Sequence, residues 1–173
     1  ASDKNDLAKL RWATGNLKST GSTNYVWASS TDRGYYYTWY STYTGNTNIN
    51  NTDPCSKLNT AYYGTGWRTP SKNELTKLAR YTNKILTNSG MWFMNNSIGL
   101  FLPAAGCRQD GKGSNTSPTT DSGTDGYYWS SDIGNGNNTG KRLYFGKRYN
   151  TADVADHAKN AGLTVRCVKG TKQ

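Results

Sequence analysis

Histidine, glutamate, methionine and cysteine are nearly missing here: 173 residues hold one histidine, one glutamate, two methionines and three cysteines. Each shortage removes a class of function. A structural zinc site wants four clustered ligands. Cys55, Cys107 and Cys167 stand far apart with no C-x-x-C pair, and His157 has no second histidine to join it. A nucleophilic triad would have to be assembled around that same His157, which the sequence sets in a polar loop near Asp153 and Asp156. The single glutamate and the aspartates show no paired-carboxylate spacing with helical or strand support. These absences argue against an enzyme. Long apolar runs are missing too, with nothing of the length of a membrane span or a signal-peptide core. Export is therefore expected through a segment outside this sequence, or inside a larger particle.

What is abundant is aromatic and small polar. Thirteen tyrosines and six tryptophans must carry packing that aliphatics usually carry, and the mean hydropathy is −0.86 with only 18% charged residues. A surface of Asn, Thr, Ser and Gly suits a loop-rich protein of the cell exterior or a virion. The length predicts one domain over residues 1–173, with a polar tail over about residues 1–6. Net charge is +10 and uneven, since residues 141–173 hold eight Lys and Arg against two acids. The basic residues occur singly or in pairs, never in a block, which argues against nucleic acid as the partner.

Along the chain, residues 7–12 alternate apolar and polar side chains and predict a first strand. Residues 25–27 and the tyrosine-rich run 35–40 predict two more, the rings of the second packing on either side of a half-buried strand. Residues 44–66 read as a long polar surface connection. Gly66-Trp67-Arg68-Thr69-Pro70 then leads into Ser71-Lys72-Asn73-Glu74, an S-x-x-E capping box. Leu75, Leu78, Ala79, Thr82, Ile85 and Leu86 follow at helical spacing and predict one main helix over about residues 72–87. Glu74 is accordingly a cap. Residues 90–94 and 99–108 are apolar segments, the second read as a buried strand arriving at a surface loop, and 109–125 is rich in turn formers. Strands are predicted at 127–131, around Leu143 and Phe145, and at 163–168, where Leu163, Val165 and Cys167 alternate with Thr164, Arg166 and Val168.

Five motifs stand in a telling order: Asp53-Pro54-Cys55; the Gly66 to Pro70 run with its capped helix; Leu102-Pro103-Ala104-Ala105-Gly106; Tyr128-Trp129-Ser130-Ser131; and Val165-Arg166-Cys167-Val168. In this the chain resembles the Fibrobacter succinogenes major paralogous domain family, over about residues 10–169. That family is similar to the formylglycine-generating-enzyme branch of C-type lectin-like folds. The resemblance implies an α+β fold of small antiparallel sheets, one main helix and long irregular loops, with the first and last strands adjacent. It also implies a disulfide between Cys55 and Cys167, leaving Cys107 a buried thiol; the alternative is three reduced thiols. The same branch houses the variable proteins of diversity-generating retroelements, whose C-terminal segment is rewritten at adenines of a template. Randomising the two adenines of an asparagine codon cannot yield Lys, Glu, Gln, Met or Trp, and between Asp132 and Ala161 lysine is the one such type present. The pattern departs from the family elsewhere. The paired active-site cysteines of formylglycine-generating enzymes are missing, as are the E-P-N and Q-P-D tripeptides of calcium-dependent lectins. No cofactor is expected, although the Asp/Asn loops leave room for a structural calcium.

The expected function is therefore recognition of a protein or glycan receptor at a cell surface, with residues 132–160 as the displayed surface. The ligand-contacting set is Asp132, Asn135, Asn137, Asn138, Arg142, Tyr144, Lys147, Tyr149, Asp153, Asp156 and His157. Tyrosine offers large contact area for few rotors, and asparagine offers adaptable hydrogen bonds. Tyr144 has a second reading, as the filler of a crevice under the 109–125 loop. Leu143, Phe145, Leu163 and Val165 are scaffold. The alternatives are a non-variable adhesin or glycan-binding module of the same fold and, more remotely, an enzyme of the formylglycine-generating type.

Overall fold

The computed structural model describes residues 6–20, 23–109, 118, 120–146 and 151–173. Among these residues four small antiparallel sheets and one main helix make up an α+β architecture. The N-terminal alternation yields only a short strand. Leu7–Lys9 closes into a 3-10 turn through Leu10 N–H to Leu7 C=O, and β1 is Arg11–Trp12. Next come β2 (Leu17–Ser19) and β3 (Tyr25–Trp27), which pair with each other. A 3-10 turn at Pro54–Lys57, a short α1 (Thr60–Tyr63) and β4 (Trp67–Arg68) follow. The main helix is α2 (Lys72–Tyr81), then a hairpin sheet of β5 (Asn83–Leu86), β6 (Gly90–Asn95) and β7 (Ile98–Pro103). The largest strands are β8 (Asp125–Ile133), β9 (Thr139–Gly146) and β10 (Thr151–Ala158), with β9 central. The last strand, β11 (Val168–Lys169), lies between β1 and β4, so the two ends of the chain are neighbours: Trp12 faces Val168 and Arg11 faces Lys169.

The capping box forms as the sequence predicts. Ser71 Oγ accepts from Glu74 N–H at 3.1 Å, and Glu74 returns a carboxylate oxygen to Ser71 N–H at 2.8 Å. The helix stops at Tyr81, not 87. Thr82 turns to extended backbone, its hydroxyl donates to Leu78 C=O, and Lys84 Nζ reaches the carbonyls of Ala79 and Thr82. With those carbonyls satisfied, Ile85 and Leu86 pair with Trp92 and Met91 in β5 instead of continuing the helix.

Two other expected strands dissolve for a shared reason. In the run 35–40, Tyr36 and Tyr37 are adjacent yet both fully buried, which a strand with one wet face cannot arrange. The segment is an irregular arch held by Tyr37 and Leu163 exchanging backbone hydrogen bonds and by Trp39 N–H to Lys159 C=O. Residues 163–168 are buried on both sides, including Thr164 and Arg166, and only isolated bridges form before β11. Beneath them the Cys55–Cys167 disulfide sits inside the larger aromatic core, and Cys107 is a buried thiol outside the bridge.

Candidate functional site

Register sorts the β8–β9–β10 sheet into two faces. Tyr128, Leu143 and Val154 are aligned across the strands, as are Gly126, Phe145 and Ala152. Both rows pack on Leu75, Leu78 and Ala79 of α2, forming the second core. The opposite face carries the rows Tyr127–Tyr144–Asp153 and Trp129–Arg142–Ala155. Because side chains alternate along a strand, scaffold and site interleave residue by residue.

Part of that second face is roofed. Trp129 Nε1–H donates to Tyr37 C=O at 2.8 Å and Trp39 Nε1–H to Ser130 C=O at 3.1 Å, so the arch 35–40 clamps one end of the sheet. Gly140 permits this approach, since a Cβ there would sit 2.1 Å from the Trp39 ring. Beyond the roof, Arg142, Tyr144 and His157 are half-buried and Asp153 is exposed. The Arg142 guanidinium lies over the rings of Tyr127 and Tyr144, at 5.6 and 5.1 Å from their centroids. Each ring is anchored by its own acid: Tyr127 Oη–H donates to Asp121 at 2.8 Å and Tyr144 Oη–H to Asp125 at 3.1 Å. Burial raises both phenol pKa values, and the acids reinforce the shift. The Tyr144 ring packs against the core and also supports Arg142, while much of the 109–125 loop in its crevice reading lies outside the described residues.

Arg142 pays for this position. Burial lowers its pKa, and Nε is buried with no hydrogen-bond partner. Asp153 attracts it electrostatically, but among the described residues no carboxylate forms an ion pair with it.

The remaining expected contacts fall into groups. Asp132 accepts from Lys72 N–H at 2.7 Å, capping the start of α2. Asp156 pairs with Lys141 and accepts from Asn135 N–H, while Lys141 also reaches the Asn135 side chain. Asn137 and Asn138 are exposed at the hairpin tip, and their carbonyls accept from the Lys159 ammonium and backbone N–H respectively. Lys147 and Tyr149 lie outside the described residues. The sheet therefore brings together Arg142, Tyr144, Asp153 and His157, whereas Asp132 and Asp156 hold the scaffold. Sequence reasoning missed that Tyr127, with Asp121 and Asp125, supports the candidate site from beneath, while Trp129 is buried core under the arch. The period-2 alternation of Tyr127 and Trp129 around Tyr128 is the signal that could have found them.

His157 is not a loop residue. It sits on β10 with its ring edge-on to Trp129 and Tyr127, at centroid distances of 5.9 and 5.8 Å. Burial, with the Arg142 charge nearby, lowers its pKa from 6.5 to about 4. An unfolded chain protonates this ring near its ordinary value, so between the two pKa values the unfolded state holds more protons and stability rises with pH. Lowering the pH from 7 toward 4 is accordingly expected to weaken the fold, and a His157→Gln variant is expected to weaken less over the same window. Urea unfolding of both proteins at several pH values checks this; identical pH slopes would refute it.

Among the described residues no group of three or more His, Cys, Asp or Glu could hold a metal ion, and no helix is long and apolar enough to cross a membrane. Residues 89–168 are similar to a domain of unknown function (DUF8237), a stretch that runs from the β5–β6 turn through the whole β8–β9–β10 sheet into β11. Neither the curated proteins nor the solved structures give a match.

Proposed function

We propose that this chain is a recognition protein of the cell surface or virion, binding a protein or glycan receptor through the outer face of β8–β9–β10. One observation carries the reading: Arg142, held over two tyrosine rings, keeps a buried, unanswered N–H on a three-stranded platform. Arginine and tyrosine are the residue types in which interface energy concentrates. A receptor supplying a carboxylate or carbonyl would complete the hydrogen bonding of Arg142, and Asp153 and His157 would flank the contact. His157, neutral at physiological pH and boxed by rings, suits contact better than proton transfer. The Cys55–Cys167 bridge fits an oxidising location.

The adjacency of β1 and β11, the capped main helix and the bridge onto the last strand support a C-type lectin-like fold. On that reading the exposed members of residues 132–160 are exchangeable, as in variable proteins of diversity-generating retroelements. Interleaving the site with a separately packed scaffold face gives exchange a physical basis, because surface substitutions usually cost less than about 0.5 kcal/mol.

The test has two arms. Sequencing the gene across a population should find substitutions confined to the outer-face and hairpin-tip codons, beside a near-copy of the segment differing at adenines; invariance would remove the variable-protein reading. Against a receptor recovered by selection on glycan and surface-protein arrays, Arg142→Ser with Tyr144→Ser should weaken binding by roughly a hundred-fold or more. Parental affinity in that variant would overturn the assignment of the face.

A further inference from the structure

A second site lies elsewhere, in a cleft of about 440 Å³ bounded by Leu10, Trp12, Ser30, Leu100, Phe101 and Arg166, among others. It shares no residue with the outer face of β8–β9–β10, and its size is within the range of small-molecule pockets.

Two of its lining residues carry buried donors with nothing to donate to. Arg166 is 3% exposed. Its Nε donates to Asn16 Oδ1 at 2.9 Å and its Nη1 to Ala13 C=O at 3.1 Å, but Nη2 is buried and unpartnered. The indole Nε1 of Trp12 is likewise buried and unpartnered. A buried donor left unmade costs about 1–3 kcal/mol, more when charged, so two beside one cleft need an explanation. The charge needs one as well. Among the described residues no carboxylate pairs with Arg166, and no acidic residue lines the cleft, which Arg11 makes more cationic still. Burial lowers the Arg166 pKa to about 10, which leaves it a cation at neutral pH.

We propose that this cleft binds a small organic carboxylate. The carboxylate would accept from Arg166 Nη2 and Trp12 Nε1, which the cleft wall covers in the free protein, so that a side-chain shift on binding exposes them and gives the buried cation its missing anion. The apolar body would lie against Leu10, Leu100 and Phe101. Both parts are required: a bare anion leaves the apolar wall wet, and a neutral molecule leaves the guanidinium unpaired.

Phenylacetate, phenylacetamide and inorganic phosphate are the probes, added separately to ¹⁵N-labelled protein while the Trp12 indole N–H resonance is followed. Phenylacetate is expected to shift it saturably, with half-saturation at millimolar concentration or below. Phenylacetamide should bind at least about ten-fold more weakly, the loss of one charge-assisted contact, and phosphate should leave the resonance in place. Gly99 offers a control that spares both donors. It lines the cleft on β7, is exposed, and has no atom within 4 Å of an added Cβ. Gly99→Phe should fill the space, reduce phenylacetate affinity at least ten-fold and leave the thermal midpoint unchanged. The proposal is overturned if phenylacetate gives no saturable shift, as expected were ordered water the occupant. It is equally overturned if the amide or phosphate binds as well as the acid, or if Gly99→Phe binds like the parent.

Discussion

A Glu74→Ala variant is expected to lose about 3–5 kcal/mol of stability, the cost of removing one partner of a buried ion pair. Glu74 is fully buried and answers four donors at once. Its carboxylate takes a two-pronged contact from Arg68, at 2.8 and 2.6 Å, and accepts from the backbone N–H groups of Ser71 and Gln173. Arg68 in turn donates to Gly170 C=O, so one side chain ties β4, the start of α2 and the C-terminal segment together. Removing it strands the Arg68 guanidinium, whose side chain is only 19% exposed, and leaves Ser71 N–H unanswered. For a chain of this size the thermal midpoint should fall by roughly 6–20 °C. Glu74→Gln keeps an acceptor for Ser71 but not the charge, and should fall between variant and parent. Unfolding in urea decides the matter: a loss under about 1 kcal/mol for alanine would mean that Arg68 finds another partner.

That cluster also marks how far the sequence could be read. The S-x-x-E spacing gives the cap directly, because its partners are three residues apart. Arg68 and Gln173 are not foreseeable from the same letters, since their approach depends on β4 lying beside β11. The same division holds elsewhere. Strands β8 and β9 are legible in the alternation of Leu143 and Phe145 with Arg142 and Tyr144, a pattern maintained by one buried face on α2. The alternation at 163–168 misleads because its polar members are buried by long-range partners: Thr164 Oγ1–H donates to Tyr127 C=O, and Arg166 bonds Asn16. His157 reads as a loop residue because the alanines and aspartates around it have weak strand preference. Pairing with β9 overrides that, down to His157 opposite Gly140. The candidate site on the outer face was half legible for the same reason. Arg142 and Tyr144 stand out as polar-face residues, and Tyr127 and Trp129 are core as they look, with the further role, not legible in the letters, of lying beneath Arg142 and His157.

Removing the disulfide by Cys55→Ala with Cys167→Ala should cost stability on the same scale as Glu74→Ala. The bridge spans 112 residues, and closing a loop of that length is worth about 4–5 kcal/mol in the chain-entropy treatment. Alanine is the right replacement, since both cysteines are at most 1% exposed within the aromatic core and serine would bury two hydroxyls. Some of the loss will be packing, because each sulfur removed leaves space beside Leu163, Val165 and Trp67. Reducing the parent protein with dithiothreitol separates the two contributions, for it opens the loop while keeping both sulfurs. Rearrangement through Cys107 should not blur the comparison while the chain is folded, and a Cys107→Ala background removes it once urea exposes that thiol. Exchange proceeds through the thiolate, and burial pushes the Cys107 pKa up to about 12, leaving almost none at neutral pH. The expected order in urea is therefore parent, then reduced parent, then the double alanine variant, with most of the drop at the first step. Should the reduced parent instead unfold with the parent, and only the alanine variant early, the bridge would act as core filling, and the link between the Pro54–Lys57 turn and the last strand would rest on packing alone.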